Sequence, residues 1–255
     1  MRLTILGCGA SMGVPAIGCQ CAICTSDDPR NRRTRTAALL SAGGVEILID
    51  AGPDLRQQAL RAGISRLDAV LLTHAHQDHV GGIDDLRPIN MAMGTSLPMY
   101  GTPPTLQRVR HQFDYAFTPE PTPSTRPQLQ LEAMPDGPFA IAGVPITPLP
   151  IMHGEWAIVG FRFGSVAYVT DVSHIPEGTF DLLAGVDDLV LGALRYKPHP
   201  IHFTIDQALE AIALIGPRRA WLTHMTHDVD YATLCAQLPD HVRPAHDGLV
   251  IEGTV

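Results

Sequence analysis

The run Ala69-Val70-Leu71-Leu72-Thr73-His74-Ala75-His76-Gln77-Asp78-His79-Val80-Gly81-Gly82 is an apolar stretch of strand type that ends in four possible metal ligands. Side chains two apart in an extended segment point the same way, so His74 and His76 can share one ion. The chain then turns, its glycine pair permitting close approach, and Asp78 with His79 can address a second ion beside the first. Three more apolar runs end in one ligand each: His153, Asp171 and His224. If those strands lie in sheets with their carboxyl ends on one edge, all seven groups converge there. Five histidines and two aspartates suit a pair of borderline divalent ions, zinc or manganese, better than calcium or magnesium, and Asp171 with its two oxygens is the natural bridge. Burying seven such groups without a metal would be costly, which favours a dinuclear centre over scattered structural histidines. Two ions would bring the pKa of a bridging water toward roughly 7, making a hydroxide nucleophile, with Asp78 both ligand and hydrogen-bond partner to it.

The elements that must carry these groups read as short strands at 2–6, 45–49, 69–72, 144–149, 158–163, 166–169, 189–191, 220–222 and 249–251. Helices are expected at 54–62, 105–113, 179–183, 204–215 with Thr204 as cap, and 231–237. More than half of the 22 prolines fall between Pro98 and Pro150, including the tract Pro119-Glu120-Pro121-Thr122-Pro123, which predicts a long loop or edge region there. No repeat is visible, and one domain over 1–255 is the simplest account.

The chain has 255 residues, 45% hydrophobic and 17% charged, enough to bury a full core. Its formal charge of -8 argues against a general nucleic-acid or membrane-surface binder. The start, MRLTILGCGAS, does not resemble a signal peptide, and no apolar run approaches the roughly 20 residues needed to cross a bilayer, so a cytoplasmic protein is expected. In a reducing compartment the clustered Cys19, Cys21 and Cys24 suggest metal binding more than disulfides, while Cys8 and Cys235 read as ordinary buried cysteines. The one basic cluster, Arg30-Asn31-Arg32-Arg33-Thr34-Arg35, either reaches a second phosphate on a substrate or forms an ion-paired structural face.

Thr73 to Gly82, followed in order by His153, Asp171 and His224, resembles the metallo-β-lactamase-fold hydrolases over most of the chain. That resemblance implies an α/β fold, an αββα sandwich of two mixed sheets flanked by helices. It does not choose among thioesterases, lactonases, phosphodiesterases and ribonucleases that share the motif. The loop Gly18-Cys19-Gln20-Cys21-Ala22-Ile23-Cys24, after Gly7-Cys8-Gly9-Ala10-Ser11-Met12-Gly13-Val14-Pro15, is similar to the PhnP-type cyclic-phosphate phosphodiesterases. In that group the three cysteines and one distant histidine hold a structural zinc, which implies His227 as the fourth ligand here, a closed Cys3His set. The resemblance also implies a histidine assisting phosphodiester cleavage from a loop: His202, just before Thr204, with His199 as competitor. The expected function is hydrolysis of a small phosphodiester, a cyclic ribose phosphate in that resemblance, with His202 donating a proton as imidazolium or stabilising the departing alkoxide. A thioesterase or lactonase of the same fold is the alternative, ahead of a tRNA 3'-processing ribonuclease and a thiol-dependent metal sensor. The partner expected is a small-molecule substrate, without membrane or nucleic acid; related enzymes are often homodimers, but neither periodicity nor patch composition demands one.

Overall fold

The computed structural model describes residues 1–118 and 124–254. The strands, in chain order, are β1 (Arg2–Gly7), β2 (Ala37–Ala42), β3 (Val45–Ile49), β4 (Ala69–Leu71), β5 (Leu97–Gly101), β6 (Leu129–Ala133), β7 (Phe139–Ile141), β8 (Val144–His153), β9 (Trp156–Phe163), β10 (Val166–Val169), β11 (Asp188–Gly192), β12 (Arg219–Thr223), β13 (Val242–Pro244) and β14 (Val250–Glu252). The helices are α1 (Leu55–Ala62), α2 (Gln77–Val80), α3 (Arg87–Met93), α4 (Pro103–Gln112), α5 (Asp114–Phe117), α6 (Glu177–Leu183), α7 (Ile205–Ile215) and α8 (Tyr231–Gln237). Two seven-stranded sheets result, ordered β14-β1-β2-β3-β4-β5-β6 and β13-β12-β11-β10-β9-β8-β7. Both are mixed, with parallel runs β3 to β6 and β10 to β13.

Strand alternation builds the layers. Ile47, Ile49, Ala69 and Leu71 face a core shared with Leu149, Phe161 and Val190 of the second sheet. Leu48, Val70 and Leu72 point the other way, against Leu55 of α1, Ile89 of α3 and Val109 of α4. Helices α6, α7 and α8 add Leu183, Ala208, Ile212 and Leu234 on the side of the second sheet. This is the expected αββα sandwich. Helix α7 starts as expected: Thr204 accepts from Gln207 N–H while the Gln207 side chain accepts from Thr204 N–H, a full capping box.

The proline-rich region is more regular than its composition suggests. It holds β5, α4, β6, β7 and β8, although β6 and β7 are edge strands of their sheets, so the edge expectation holds where the loop expectation does not. Pro103 and Pro104 open α4, where a missing N–H is harmless. The tract 119–123 lies outside the described residues. Strand β2, Ala-Ala-Leu-Leu-Ser-Ala, carries no β-branched residue and has no strand signal of its own; pairing with β1 and β3 on both sides decides it. Among the described residues no helix is long and apolar enough to cross a membrane.

Candidate active site

Strands β3, β4, β8, β10 and β12 each deliver a ligand-type side chain at or just beyond the carboxyl end: Asp50, His74, His153, Asp171 and His224. Three of these, Asp50 (φ 62°), Asp171 (φ 55°) and His224 (φ 58°), hold left-handed backbone that side chains rarely adopt. The strain aims each side chain past the strand end instead of across the sheet. His76 is the N-cap residue of α2, which sets Asp78 and His79 in the first turn. That turn packs backbone against backbone: a Cβ on Gly52 would lie 2.0 Å from the Asp78 carbonyl oxygen, and one on Gly82 would lie 2.0 Å from that of Gly52.

The side chains form two donor sets. His74, His76 and His153 make one, with His74 Nε2 and His76 Nδ1 2.9 Å apart. Asp78, His79, Asp171 and His224 make the other. Asp171 stands between them: its Oδ2 is 3.2 Å from His79 Nε2, its Oδ1 3.2 Å from His224 Nε2, and it shares a third set with His153 and His202. His199 enters none of these sets, although both loop histidines line the same cavity of about 300 Å3.

His79 shows that the donors fit a cation. Its Nδ1–H donates to Asp50 Oδ2 at 2.7 Å, and its fully buried Nε2 has no hydrogen-bond partner while facing Asp171 Oδ2 at 3.2 Å and Asp78 Oδ2 at 3.4 Å. A lone pair between two carboxylates, out of water, calls for positive charge. In the chain alone a proton can stand in for it: burial disfavours the imidazolium, but Asp171 and Asp50 outweigh burial and hold His79 well above the usual histidine range. Burial likewise opposes ionisation of Asp78 and Asp171, yet the surrounding histidines, His79 and His224 among them, keep both carboxyls below their ordinary range. Nitrogen donors on one side and mixed nitrogen and oxygen donors on the other are a set for borderline divalent ions.

Two further ligand rings are tied from behind. His153 Nδ1 donates to the Ile201 carbonyl at 2.7 Å, and His74 Nδ1 lies 3.0 Å from Thr73 Oγ1, which itself bonds Asp50. Such outer partners orient a ligand and keep its lone pair toward the metal. Asp50 is the residue the sequence reading missed, although an acid closing an apolar run is the same signal that marks Asp171. Asp50→Asn keeps the shape and removes the charge behind His79; metal affinity should fall about 10- to 100-fold in chelator competition, with the fold retained.

Burial pushes His74, His76, His202 and His224 below their ordinary value of 6.5, His202 to about 3. Each binds its proton more weakly folded than unfolded, so its contribution to stability is complete above pH 6.5 and lost as pH falls below it. His79 has the opposite sign: its contribution is complete below pH 6.5 and is lost as pH rises from there through its raised value. Metal-free protein should therefore melt at a lower temperature at about pH 5 than at about pH 7.5; equal melting temperatures would contradict the burial of these rings.

The cysteine loop reaches the expected histidine. Cys19 Sγ and Cys21 Sγ lie 3.3 and 3.4 Å from His227 Nδ1, and with Cys24 the four form one donor set. The Cys24 N–H and His227 bring Cys21 down to about 6, whereas burial lifts Cys24 to about 11. His227 follows His224 by three residues, and Arg33 braces the chain on both sides of His227, donating to the carbonyls of Thr226 at 3.0 Å and Val229 at 2.7 Å. Arg33 is fully buried, Arg30 pairs with Asp28 at 2.8 Å, and Arg35 with Asp54 at 3.0 Å. None of these three lines the metal-ligand cavity, and each fits the structural of the cluster's two readings. The guanidinium that does line it is Arg195, which among the described residues donates to the carbonyls of Lys197 and Pro198. Cys8 is buried as expected, but Cys235 is only half-buried.

Residues 46–225 match the sequence profile of the β-lactamase superfamily domain. The chain belongs to that superfamily, and fold and donor sets together are of the metal-dependent hydrolase kind. More particularly, it is similar to a crystal structure described as a new diphosphatase from the PhnP family: 40% identity, TM-score 0.94, covering 100% of this chain and 98% of that one. It is also 44% identical to an octanoyltransferase of Porphyromonas gingivalis over 98% of its own length, but spans only 51% of that protein. A ribonuclease Z of Mycolicibacterium paratuberculosis is 32% identical over 65% of this chain and 63% of that protein.

Proposed function

We propose that the protein is a dinuclear metal-dependent phosphodiesterase that hydrolyses a small phosphodiester, a cyclic ribose phosphate fitting best. The observation that carries this reading is the cavity of about 300 Å3 in which Asp171, shared by the donor sets, lies beside His202 and Arg195. His74, His76 and His153 would hold one divalent ion and Asp78, His79 and His224 a second, with Asp171 between them; zinc and manganese both suit these donors. The chemistry such a pair supplies is activation of water and neutralisation of the charge growing on the phosphoryl oxygens.

The chain's own groups do the rest. Asp78, kept ionised, can take a hydrogen bond from the attacking water and orient it. Arg195 has no carboxylate partner among the described residues and can donate to a phosphoryl oxygen. His202 Nδ1 lies 3.8 Å from Asp171 Oδ1, and burial keeps the ring neutral. Of the two roles expected for it, the neutral one follows: an N–H that donates to the departing alkoxide, not an imidazolium that surrenders a proton.

Cys19, Cys21, Cys24 and His227 form a closed tetrahedral set suited to structural zinc, which would pin the loop carrying Met12 and Gly13 against the cavity. Cys21→Ser should lower the melting temperature and remove one equivalent of zinc, while kcat of the protein that remains folded changes less than about tenfold.

The deciding assay is hydrolysis of bis(p-nitrophenyl) phosphate, with zinc and with manganese, beside a thioester, a lactone and a nucleoside diphosphate. Phosphodiester turnover supports the reading. Preference for the diphosphate would move the substrate to a phosphoanhydride, the reaction class named for the PhnP-family relative. Turnover of the thioester or lactone alone would overturn it.

A further inference from the structure

His224 reaches the second donor set from a left-handed backbone, so its ring needs an anchor. That anchor comes from the other end of the chain. Thr36 Oγ1, on a buried residue just before β2, lies 3.0 Å from His224 Nδ1 and 2.8 Å from the Gly9 carbonyl oxygen. Two oxygens that close must have a proton between them, and the carbonyl has none to give. The threonine proton therefore goes to Gly9, and the lone pair of Oγ1 is left to accept from His224 Nδ1–H. The proton on Nδ1 leaves Nε2 bare, and Nε2 is the atom 3.2 Å from Asp171 Oδ1 at the centre of the donor set.

We propose that Thr36 is a positioning residue for the second metal: it fixes the tautomer and the rotation of His224, and so sets the affinity of the set formed by Asp78, His79, Asp171 and His224 without touching metal or substrate. The proposal rests on the dinuclear reading and deepens it. It is selective, because the rings of His74 and His153 are anchored by Thr73 and the Ile201 carbonyl, and their set feels Thr36 only through Asp171, which groups with His153. A methyl in place of the hydroxyl, as in Thr36→Val, keeps the volume and leaves Nδ1–H without an acceptor in a buried site. Serine keeps the hydroxyl.

The test is manganese titration of the full chain, read by the electron paramagnetic resonance of free Mn2+, after the cysteine set has been loaded with zinc; thiolates favour the zinc, so manganese reports the histidine and aspartate sets. Thr36→Val should weaken one of two binding steps about 10- to 100-fold and leave the other within about twofold, and Thr36→Ser should restore it. In the metal-free protein, nitrogen NMR of His224 should show the Nδ1–H tautomer in wild type and in Thr36→Ser, and a mixture in Thr36→Val. Unchanged manganese binding in Thr36→Val would overturn the proposal. So would a serine variant as weak as the valine one, or equal weakening of both steps together with a fall in melting temperature, since either makes Thr36 a packing residue. A wild type that binds fewer than two manganese ions overturns the dinuclear reading, and the proposal falls with it.

Discussion

Replacing Asp171 by alanine should remove metal and turnover together. The carboxylate is fully buried, stands 3.2 Å from both His79 Nε2 and His224 Nε2 of its own set, and also groups with His153 of the other. Losing an interaction that stabilises phosphoryl charge by about 4 kcal/mol or more corresponds to about 10³-fold or more in rate. Metal analysis should find at most one ion in the histidine and aspartate sets. The variant also deprives His79 and His224 of a carboxylate neighbour, so the pKa of His79 should come down, with Asp50 still raising it, and the metal-free protein should become less stable at neutral pH. Full metal content with low activity would mean that Asp171 orients substrate without bridging; full activity would remove the dinuclear reading.

His202→Ala separates chemistry from metal binding. The variant should keep both ions, because His74, His76, Asp78, His79, His153, Asp171 and His224 are untouched, and should lose about 10²- to 10⁴-fold in rate on an ester with an alkoxide leaving group. On bis(p-nitrophenyl) phosphate the loss should be smaller, since a nitrophenolate departs without help. Burial, with His224 as the next contributor, holds His202 at about 3, so its neutral N–H is present throughout pH 6 to 8 and the rate should not fall there on its account. An equal loss on both substrates would disprove the leaving-group role. Unchanged activity would pass the question to His199, whose Nδ1 is buried and without a hydrogen-bond partner among the described residues.

These two variants probe residues that are legible in the chain for different reasons. Asp171 was marked by its place after an apolar run, and the same rule marks Asp50, whose role becomes visible only when His79 Nδ1 is found 2.7 Å away. His202 and His199 could not be told apart by spacing, because both sit in one loop before α7; the approach of His202 to Asp171 at 3.8 Å distinguishes them. The arginine cluster shows the limit in reverse. Four closely spaced guanidiniums look like an anion site in a chain of charge -8, yet carbonyls buried 193 and 196 residues away claim Arg33. Arg195, isolated and unremarkable in sequence, faces the cavity instead.

What the sequence determined by itself is local: short apolar runs, ligand types at their ends, the pairing of His74 with His76 by parity, the Thr204 cap and the cysteine spacing. These follow from backbone geometry over a few residues and need no partner. What only the tertiary structure decided is which ends meet. The parallel arrangement of β8, β10, β11 and β12, the alanine-rich β2 made a strand by its neighbours, and Thr36 brought against a histidine 188 residues on all depend on contacts that close long loops. Such contacts are stabilised by shared burial between sheets, and burial belongs to the assembled core and not to any one segment.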